Sequence, residues 1–517
     1  MRRKPAASLT KGKRMKWNKK IHLIGLIGLI GLSAHAKKQP NFILLLTDDQ
    51  SYHLGMLGVP GLETPNIDAL AKRGVFFTKA YSASASCAPC RSSILTGMYP
   101  SSNGHWRNTH GPEALFLPDV EFGRDTSKVD PVGVHEDIPT LVEVLNANGY
   151  FTGITEKWHL SPPWKFPFNF RDQADLTPGG SAKAVTGFIE AAGGKPFFLQ
   201  ANVDNTHRPF QTHIKQNKDL PRVNPDDVEI PPNWPDTPKT RQDYAEYLTT
   251  VQHADAVIGA IVKAVKEHGQ LDNTIFIYTS DQGFCYHRAK ASAYDWGMHV
   301  PLAFVGPDVR SGVEISALVG HVDLMPTLLD YAGLPIPGTV QGKSLRPILE
   351  GKTADVGRKY IASEHNAHGP AADEYYPSRS ITDGRYRYLW NLRHEIVPDF
   401  PIDRYATDTV FREQAKSPAW MPWDATPSTS WENNAFEEII FHKDEFPAQY
   451  ELLKATFHRP EFELYDLEKD PYETTNLATN PEYAPVVKRM DRALRKWMDA
   501  INDIGDPRSV KRREAVE

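Results

Sequence analysis

The sequence predicts an α/β fold with a large, mostly parallel central sheet flanked by helices, followed by a smaller α+β region on an antiparallel sheet. Short apolar runs such as residues 41–47 lack the alternation of a half-buried strand, which is typical of strands buried on both faces. These runs alternate with helical patterns through residues 40–350, as in parallel sheets covered by helices. With 517 residues, 40% of them hydrophobic, the chain is long enough for such a core.

The first 36 residues have the pattern of a secretory signal peptide. Residues 1–20 carry nine Lys or Arg and no acidic residue, residues 21–32 are apolar, and Ala34-His35-Ala36 is a small-x-small cleavage site. The apolar run is too short to span a membrane. We therefore expect a periplasmic or secreted protein without a stable membrane anchor.

The charge of the mature chain limits its partners. Cleavage after residue 36 lowers the Lys+Arg count from 59 to 50 and leaves the 64 Asp+Glu unchanged, for a formal net charge of −14. Such an acidic protein is a poor non-specific binder of nucleic acid. An anionic substrate would need a local cationic pocket whose positive potential outweighs the negative potential of the whole protein.

Residues 37–352 carry the alternating pattern and form the predicted catalytic domain. Thr64 before Pro65 predicts a capped helix that ends near Gly74, and residues 240–270 have an apolar stripe at helical spacing. Residues 104–137 are rich in Gly, Pro, His and Asp and predict a long loop. The predicted helices span residues 64–74, 92–97, 138–148, 180–194, 240–270 and 323–331, and the predicted strands span residues 41–47, 75–77, 150–155, 196–203, 273–279 and 300–305.

After about residue 352 the composition changes, which predicts a smaller C-terminal domain over residues 353–517. Strand patterns occur at 359–363, 378–392 and 461–466, with Asp383-Gly384 indicating a hairpin turn, and a helix is predicted at 485–501. Residues 393–460 are predicted to be an irregular insert that faces the substrate. Its aromatic residues Trp420, Trp423 and Trp431 are candidates either for stacking on sugar rings or for packing.

Polar residues follow four of the predicted strands at the point where each strand ends. The carboxyl ends of parallel strands meet at one edge of a sheet, where ligands bind, so we expect these residues to converge. Adjacent carboxylates there suit a hard cation such as Ca²⁺ or Mg²⁺. The residues are Asp48 and Asp49, Lys157 and His159, His207, and Asp281 and Gln282.

The segment Ser86–Gly97 holds two of the three cysteines, Cys87 and Cys90, followed by Arg91. A helix predicted from Ser92 would put this segment at a helix N-terminus, where free N–H groups favour anionic chemistry. Taken alone, the pair is compatible with a Cys-x-x-Cys redox site, with a precursor of formylglycine, or with two inert buried cysteines.

Four ordered motifs resemble those of the formylglycine-dependent (type I) sulfatases of the alkaline phosphatase superfamily. The stretch 284–297 is most similar to the heparan N-sulfatase-like and polysaccharide-sulfatase branches. Three positions depart from the common pattern: Cys90 stands where serine is usual, Gln282 where asparagine or histidine is more common, and Glu156 where glycine is usual. The motifs are Cys-x-Pro-x-Arg-x-x-x-Leu-Thr-Gly at 87–97, Lys-Trp-His at 157–159, Thr-Ser-Asp-x-Gly at 279–283, and Glu-Leu-Tyr-Asp-Leu-x-x-Asp-Pro-x-Glu-x-x-Asn-Leu at 463–477.

The resemblance implies that a formylglycine-generating or sulfatase-maturating enzyme oxidises Cys87, and that the hydrated aldehyde attacks sulfur while Arg91 hydrogen-bonds it. His207 would protonate the leaving oxygen and His159 would assist release of sulfate. The implied cation is Ca²⁺, with Mg²⁺ as the alternative. The implied metal ligands are Asp48, Asp49, Cys87, Asp281 and Gln282, and the implied sulfate-binding residues are Lys157, His159, His207 and Lys290.

The leading hypothesis is an exported sulfatase acting on a sulfated polysaccharide or its oligosaccharides. The alternatives are N-sulfoglucosamine hydrolysis, hydrolysis of phosphodiesters or phosphonate monoesters on the same site, and a non-catalytic glycan-binding protein. A thioredoxin-like site is disfavoured, since Ser86 stands where such sites usually carry an aromatic residue. Weaker candidates for the substrate pocket are His105, His110, His365 and His368.

Overall fold

The computed structural model describes residues 38–110, 129–370, 375–395, 404, 407–408 and 435–509. The predicted signal peptide and the three tryptophans of the insert lie outside the described residues. From Gln39 onward, the described chain forms one compact unit. Across the described ranges, every helix is too short or too polar to serve as a membrane span.

The strands of the described chain are β1 Asn41–Thr47, β2 Val75–Phe77, β3 Ala80–Tyr81, β4 Phe151–Thr155, β5 Phe170–Asp172, β6 Phe197–Val203, β7 Thr274–Ser280, β8 Leu302–Val305, β9 Val313–Ile315, β10 Val319–Gly320, β11 Ile361–Ala367, β12 Tyr375–Thr382, β13 Tyr386–Asn391 and β14 Phe462–Asp466. The helices are α1 Pro65–Arg73, α2 Cys87–Thr96, α3 Pro100–Asn103, α4 Leu141–Ala147, α5 Pro178–Ala192, α6 Phe210–Gln216, α7 Pro238–Glu267, α8 Asp295–Met298, α9 Leu324–Tyr331, α10 Arg346–Leu349, α11 Ala435–Phe441, α12 Pro447–Phe457 and α13 Ala484–Ala500.

An eight-stranded sheet in the order β5-β4-β6-β1-β7-β8-β2-β9 forms the centre of the described chain. Strand β1 lies between β6 and β7 and is parallel to both, whereas β8 is antiparallel to β7 and β2. Thr47 is level with Val203 on one side and with Ser280 on the other. The residues that follow these three strands therefore start at the same edge of the sheet, as the sequence predicts.

Helices cover both faces of this sheet. On one face, α1, α5 and α7 pack apolar side chains such as Ile67, Phe188 and Ile258 against the strands. On the other face, α2, α4 and α9 contribute Ile94, Leu141 and other apolar side chains. Burial on both faces explains why β1 is a continuous apolar run, so the predicted α/β class is confirmed.

A second sheet, β11-β12-β13-β14, is fully antiparallel and is covered by α13. The predicted hairpin joins β12 to β13, and Gly384 takes the left-handed conformation with φ 88° that its turn requires. Strand β11 also runs beside the segment that precedes α2, because the Glu364 amide donates to the Ala83 carbonyl at 2.9 Å. The C-terminal sheet thereby lies next to the Cys87 segment.

Several sequence-based boundaries are wrong. Helix α2 begins at Cys87, five residues before the predicted start. Pro89 does not prevent this, because it falls in the first turn, where backbone N–H groups have no intrahelical acceptor and a missing N–H costs no hydrogen bond. Within 393–460, predicted to be irregular, the structure forms α11 and α12. The short strands β5 and β9 and the helix α6 were not predicted.

Candidate active site

Two adjacent carboxylates, Asp48 and Asp49, follow β1 and are fully buried. Asp48 accepts a hydrogen bond from Arg91 at 3.1 Å and is paired with Lys157. Burial alone would raise the pKa of Asp48, but Lys157 and Arg91 outweigh it and hold that pKa well below its usual value. Asp49, whose φ of 57° turns the chain sharply, pairs instead with Lys290, Nζ to Oδ2 2.6 Å.

Cys87 is the first residue of α2, and its side chain reaches the same place. Its Sγ lies 3.6 Å from Oδ1 of Asp48 and 3.2 Å from Nε2 of Gln282. Burial, together with the neighbouring Asp48 carboxylate, raises the pKa of this thiol to about 12. A protonated thiol is a poor nucleophile, and neither Cys87 nor Cys90 forms a disulfide, so the geometry disfavours a redox dithiol.

Arg91, one turn along α2 from Cys87, is the cationic centre of the floor of the site. It is fully buried and donates to Asp281 at 3.0 Å from Nε, to Asn202 at 2.8 Å from Nη1 and to Asp48 at 3.1 Å from Nη2. Its planar fork thereby joins the ends of β1, β6 and β7. The sequence placed Arg91 here, but it did not single out Asn202.

Asp281 and Gln282 follow β7. Oδ1 of Asp281 accepts the backbone N–H groups of Asp49 at 3.1 Å and Gln282 at 2.9 Å, while Nε2 of Gln282 lies 2.5 Å from Oδ1 of Asp49. Burial and the Asp48 charge raise the pKa of Asp281 to about 7. All five predicted metal-site residues therefore lie together at this sheet edge.

Two histidines flank the carboxylates. His207 Nδ1 donates to the Arg208 carbonyl at 2.5 Å, which leaves Nε2 3.7 Å from Oδ2 of Asp49. Nδ1 of His159 is buried, and no described residue hydrogen-bonds it. Burial and the neighbouring cations hold the pKa of both imidazoles well below the usual value, which favours the neutral form of each.

The donor set fits a hard divalent cation. Ligand atoms of Asp48, Asp49 and Cys87 all lie within 4.8 Å of one another. The buried Oε1 of Gln282 has no hydrogen-bond partner among the described residues, and rotation of the amide would aim this oxygen at Asp49 and Cys87. Carboxylate and amide oxygens are ligands that Ca²⁺ and Mg²⁺ prefer.

Asp204 is a further carboxylate of the site that the sequence analysis did not select. It directly follows β6, and its Oδ1 lies 4.0 Å from the Arg91 guanidinium. Burial and the Asp48 charge raise its pKa to about 6. Its position after a buried parallel strand was the available signal, the same one that identified His207.

Comparisons with known proteins agree with this geometry. The family model described as Sulfatase matches residues 40–334, and the model described as N-sulphoglucosamine sulphohydrolase, C-terminal, matches residues 285–396. The N-sulphoglucosamine sulphohydrolase of Homo sapiens is 28% identical, with 90% of each chain covered. An ulvan-active sulfatase of Formosa agariphila is 26% identical over 91% of this chain and 82% of its own. The solved structure of a 2-O glycosaminoglycan sulfatase has the same fold, with a TM-score of 0.62 and 21% identity over 92% of this chain and 95% of that chain.

Proposed function

Because the chain belongs to the sulfatase family of sulfuric ester hydrolases, we propose that it removes sulfate from a sulfated polysaccharide or its oligosaccharides. The observation that carries this proposal is the surroundings of Cys87. Its side chain lies at a buried carboxylate pair that is neutralised by Lys157, Arg91 and Lys290. With a divalent cation bound beside them, these three basic groups would form a local cationic pocket for an anionic substrate, in a chain with more acidic than basic residues.

We propose that Cys87 is converted to formylglycine by a maturation enzyme, which would supply a hydrated aldehyde as nucleophile. A divalent cation, Ca²⁺ or Mg²⁺, would be held by Asp48, Asp49, residue 87, Asp281 and Gln282 and would lower the pKa of a coordinated hydroxyl group. The neutral amide of Gln282 contributes an oxygen ligand without adding negative charge to a site already rich in carboxylates.

The remaining residues would bind sulfate and move protons. Lys157 and Lys290 offer ammonium groups to the sulfate oxygens, where negative charge builds up during the reaction. The hydrogen bond from Nδ1 of His207 to Arg208 fixes the ring so that Nε2 faces the reacting groups. A bound sulfate ester offsets the lysine charges that hold the pKa of His207 down, so this histidine can take up a proton and deliver it to the leaving oxygen.

The relatives support the proposed substrate class. They include an N-sulphoglucosamine sulphohydrolase and an ulvan-active sulfatase, whose names refer to sulfated carbohydrates or their components. N-sulfoglucosamine hydrolysis is the second candidate, because the C-terminal family model carries that description and covers the segment that includes Lys290 and β11. Cleavage at nitrogen rather than oxygen would use the same nucleophile and cation.

We also propose that the protein is exported to the periplasm or the medium through its predicted signal peptide. Extracellular polysaccharides would then be accessible to it. Comparison of the N-terminal residue of the secreted chain with Lys37 tests this point.

The central test combines mass spectrometry with turnover. The tryptic peptide that contains Cys87 should be about 18 Da lighter than its cysteine form after conversion of thiol to aldehyde. Cys87→Ala should abolish hydrolysis of 4-nitrophenyl sulfate and of sulfated oligosaccharides, whereas Cys285→Ala, a matched change at a buried cysteine outside the motif, should not. Full turnover by Cys87→Ala would contradict the mechanism.

Substrate comparison separates the remaining candidates. The sulfatase proposal expects a higher kcat/KM for sulfate esters than for bis-4-nitrophenyl phosphate or phosphonate monoesters, and the opposite order would refute it. Release of sulfate from N-sulfoglucosamine but not from O-sulfated sugars would favour the second candidate. Binding of sulfated glycans without turnover by fully converted protein would indicate a glycan-binding protein instead.

A further inference from the structure

The first turn of α2 is capped by a residue from outside the helix. Ser86, the N-cap residue, makes no capping hydrogen bond with its side chain. Instead Oδ1 of Asn108 accepts the backbone N–H of Ala88 at 3.0 Å. Because a first-turn N–H group has no acceptor within the helix, this bond orients the turn that carries residue 87.

Asn108 is itself held by His368. Nδ2 of Asn108 donates to Nε2 of His368 at 3.0 Å, and the Asn108 backbone N–H donates to the His368 carbonyl at 3.1 Å. Since Nε2 accepts, the proton of the neutral imidazole is on Nδ1. Asn108 and His368 are only 4% and 6% exposed, so these bonds are protected from water.

The C-terminal sheet brings His368 to this position. Strand β11 lies along the segment before α2, with Ser363 Oγ donating to the Ser82 carbonyl at 2.7 Å, and His368 follows the end of β11. Nδ1 of His368 lies 3.5 Å from Oγ of Ser86. His368 thus contacts Ser86, and its partner Asn108 contacts Ala88, so both neighbours of position 87 are held by these two residues.

We propose that Asn108 and His368 form a positioning pair that fixes the direction in which the side chain of residue 87 leaves α2. The inference rests on the proposed function, because it assumes that residue 87 supplies the nucleophile. The pair does not need to contact substrate; it acts through the backbone of Ala88. Burial and the charge of nearby Lys290 lower the pKa of the His368 imidazole, which is consistent with a position of His368 beside the same pocket.

A positioning role predicts which kinetic constant changes. If the nucleophile is misdirected while the sulfate-binding lysines are untouched, kcat should fall roughly 10- to 100-fold with little change in KM. The loss should be equal for a small aryl sulfate and for a glycan substrate. A residue that contacts the sugar would instead lower kcat/KM more for the glycan.

Two conservative variants separate the contacts of His368. In His368→Gln the amide reaches the place of Nε2 and can still accept from Asn108, whereas in His368→Asn the amide reaches only the place of Nδ1, beside Ser86. We expect His368→Gln to retain most of kcat, and His368→Asn and Asn108→Ala to lose it to a similar extent. Because Asn108→Ala and His368→Asn both act through the hydrogen bond between Asn108 and Ala88, the kcat of the double variant should be no lower than that of either single variant.

Hydrogen exchange tests the geometry independently of activity. Pro89 has no N–H, so a peptide spanning residues 86–90 reports chiefly on Ala88 and its immediate neighbours. Exchange in this peptide should be about tenfold faster in Asn108→Ala and His368→Asn than in the wild type, and near wild type in His368→Gln. His442→Ala, directly after the end of α11 and with a side chain 40% exposed, is the control and should change neither exchange nor kcat.

The outcomes distinguish the inference from the proposed function. Unchanged exchange and unchanged kcat in Asn108→Ala would overturn the positioning pair. Loss of turnover confined to glycan substrates would also overturn it, in favour of a sugar contact. If the wild type shows no sulfatase activity, the proposed function fails, while the exchange data still decide whether Asn108 caps α2.

Discussion

Replacement of Cys90 by alanine and by serine would measure how strongly the second cysteine of the motif supports the site. Its thiol donates to the backbone carbonyl of Asp281 at 2.5 Å, and its sulfur lies 2.9 Å from Nδ1 of His321. Burial raises the pKa of this thiol well above its usual value, so it remains a donor. On the other side of the ring, Nε2 of His321 lies 3.2 Å from Oγ1 of Thr279.

The expected magnitude follows from the groups left without partners. Cys90→Ala removes the partner of the Asp281 carbonyl and of Nδ1 of His321 in a fully buried place, at a cost of roughly 1–3 kcal/mol for each group before relaxation. We expect about 2–4 kcal/mol in total. A cooperative unit of about 400 residues has an unfolding entropy near 0.8 kcal/mol/K, so the thermal midpoint should fall by about 2–5 °C.

Serine should behave differently. A serine oxygen lies closer to Cβ than the sulfur does, so the contacts of 2.5 and 2.9 Å would lengthen but stay near ordinary hydrogen-bond distances, and the Cys90→Ser hydroxyl can serve both partners. We expect its midpoint to stay within about 1 °C of the wild type, by the same conversion. Melting curves at fixed Ca²⁺ would test this, with Cys285→Ala as the control for loss of a buried thiol. Equal midpoints for Cys90→Ala, Cys90→Ser and the wild type would refute the reasoning.

Three further predictions concern charge. Burial and repulsion from Asp295 raise the pKa of Glu473 to about 8. Because this folded-state pKa exceeds the unfolded value, the free energy of unfolding should decline as pH rises from about 4.5 to 8. Glu473→Gln should flatten that decline in melting curves recorded across this range. Asp243→Asn removes the buried counter-charge of the Arg208 guanidinium and should destabilise the protein by about 3 kcal/mol. The control Asp236→Asn, at an exposed ion pair, should cost under about 1 kcal/mol. Similar shifts of the thermal midpoint in both variants would contradict this. Chelation of divalent cations should lower the thermal midpoint and also the affinity for inorganic sulfate, measured as product inhibition. Added Ca²⁺ should restore both. Unchanged sulfate inhibition in a metal-free sample would count against a cation in the site.

The sequence was sufficient for the part of the site that follows from strand order. Continuous apolar runs identified β1, β6 and β7, and parallel strands that pair in register bring the residues after them to one edge. Asp48, His207 and Asp281 were predicted in this way. Their proximity follows from the topology of the sheet, without knowledge of side-chain rotamers.

The contacts made across long sequence distances could not be predicted. Asn108 and His368 are 260 positions apart, and Cys90 and His321 are 231 apart. Each pair depends on how the C-terminal sheet or the end of β10 lies against α2, which no local periodicity encodes. Conversely, Glu156 has φ 58°, a left-handed conformation that glycine adopts without strain, which gives a physical reason for the glycine that the resemblance leads one to expect there.

The charges of the site explain why cation and substrate should bind together. Among the described side chains that meet at the sheet edge, the carboxylates are Asp48, Asp49, Asp204 and Asp281, and the permanent cations are Arg91, Lys157 and Lys290. With the histidines neutral, this group carries one excess negative charge, and burial with mutual repulsion raises the pKa of three of the four carboxylates. A divalent cation would reverse the sign of the net charge and stabilise those carboxylates in their ionised form. The pocket would repel a sulfate ester without the metal and attract one with it. The acidic residues, which alone are unsuited to an anionic substrate, thus make its binding depend on the metal.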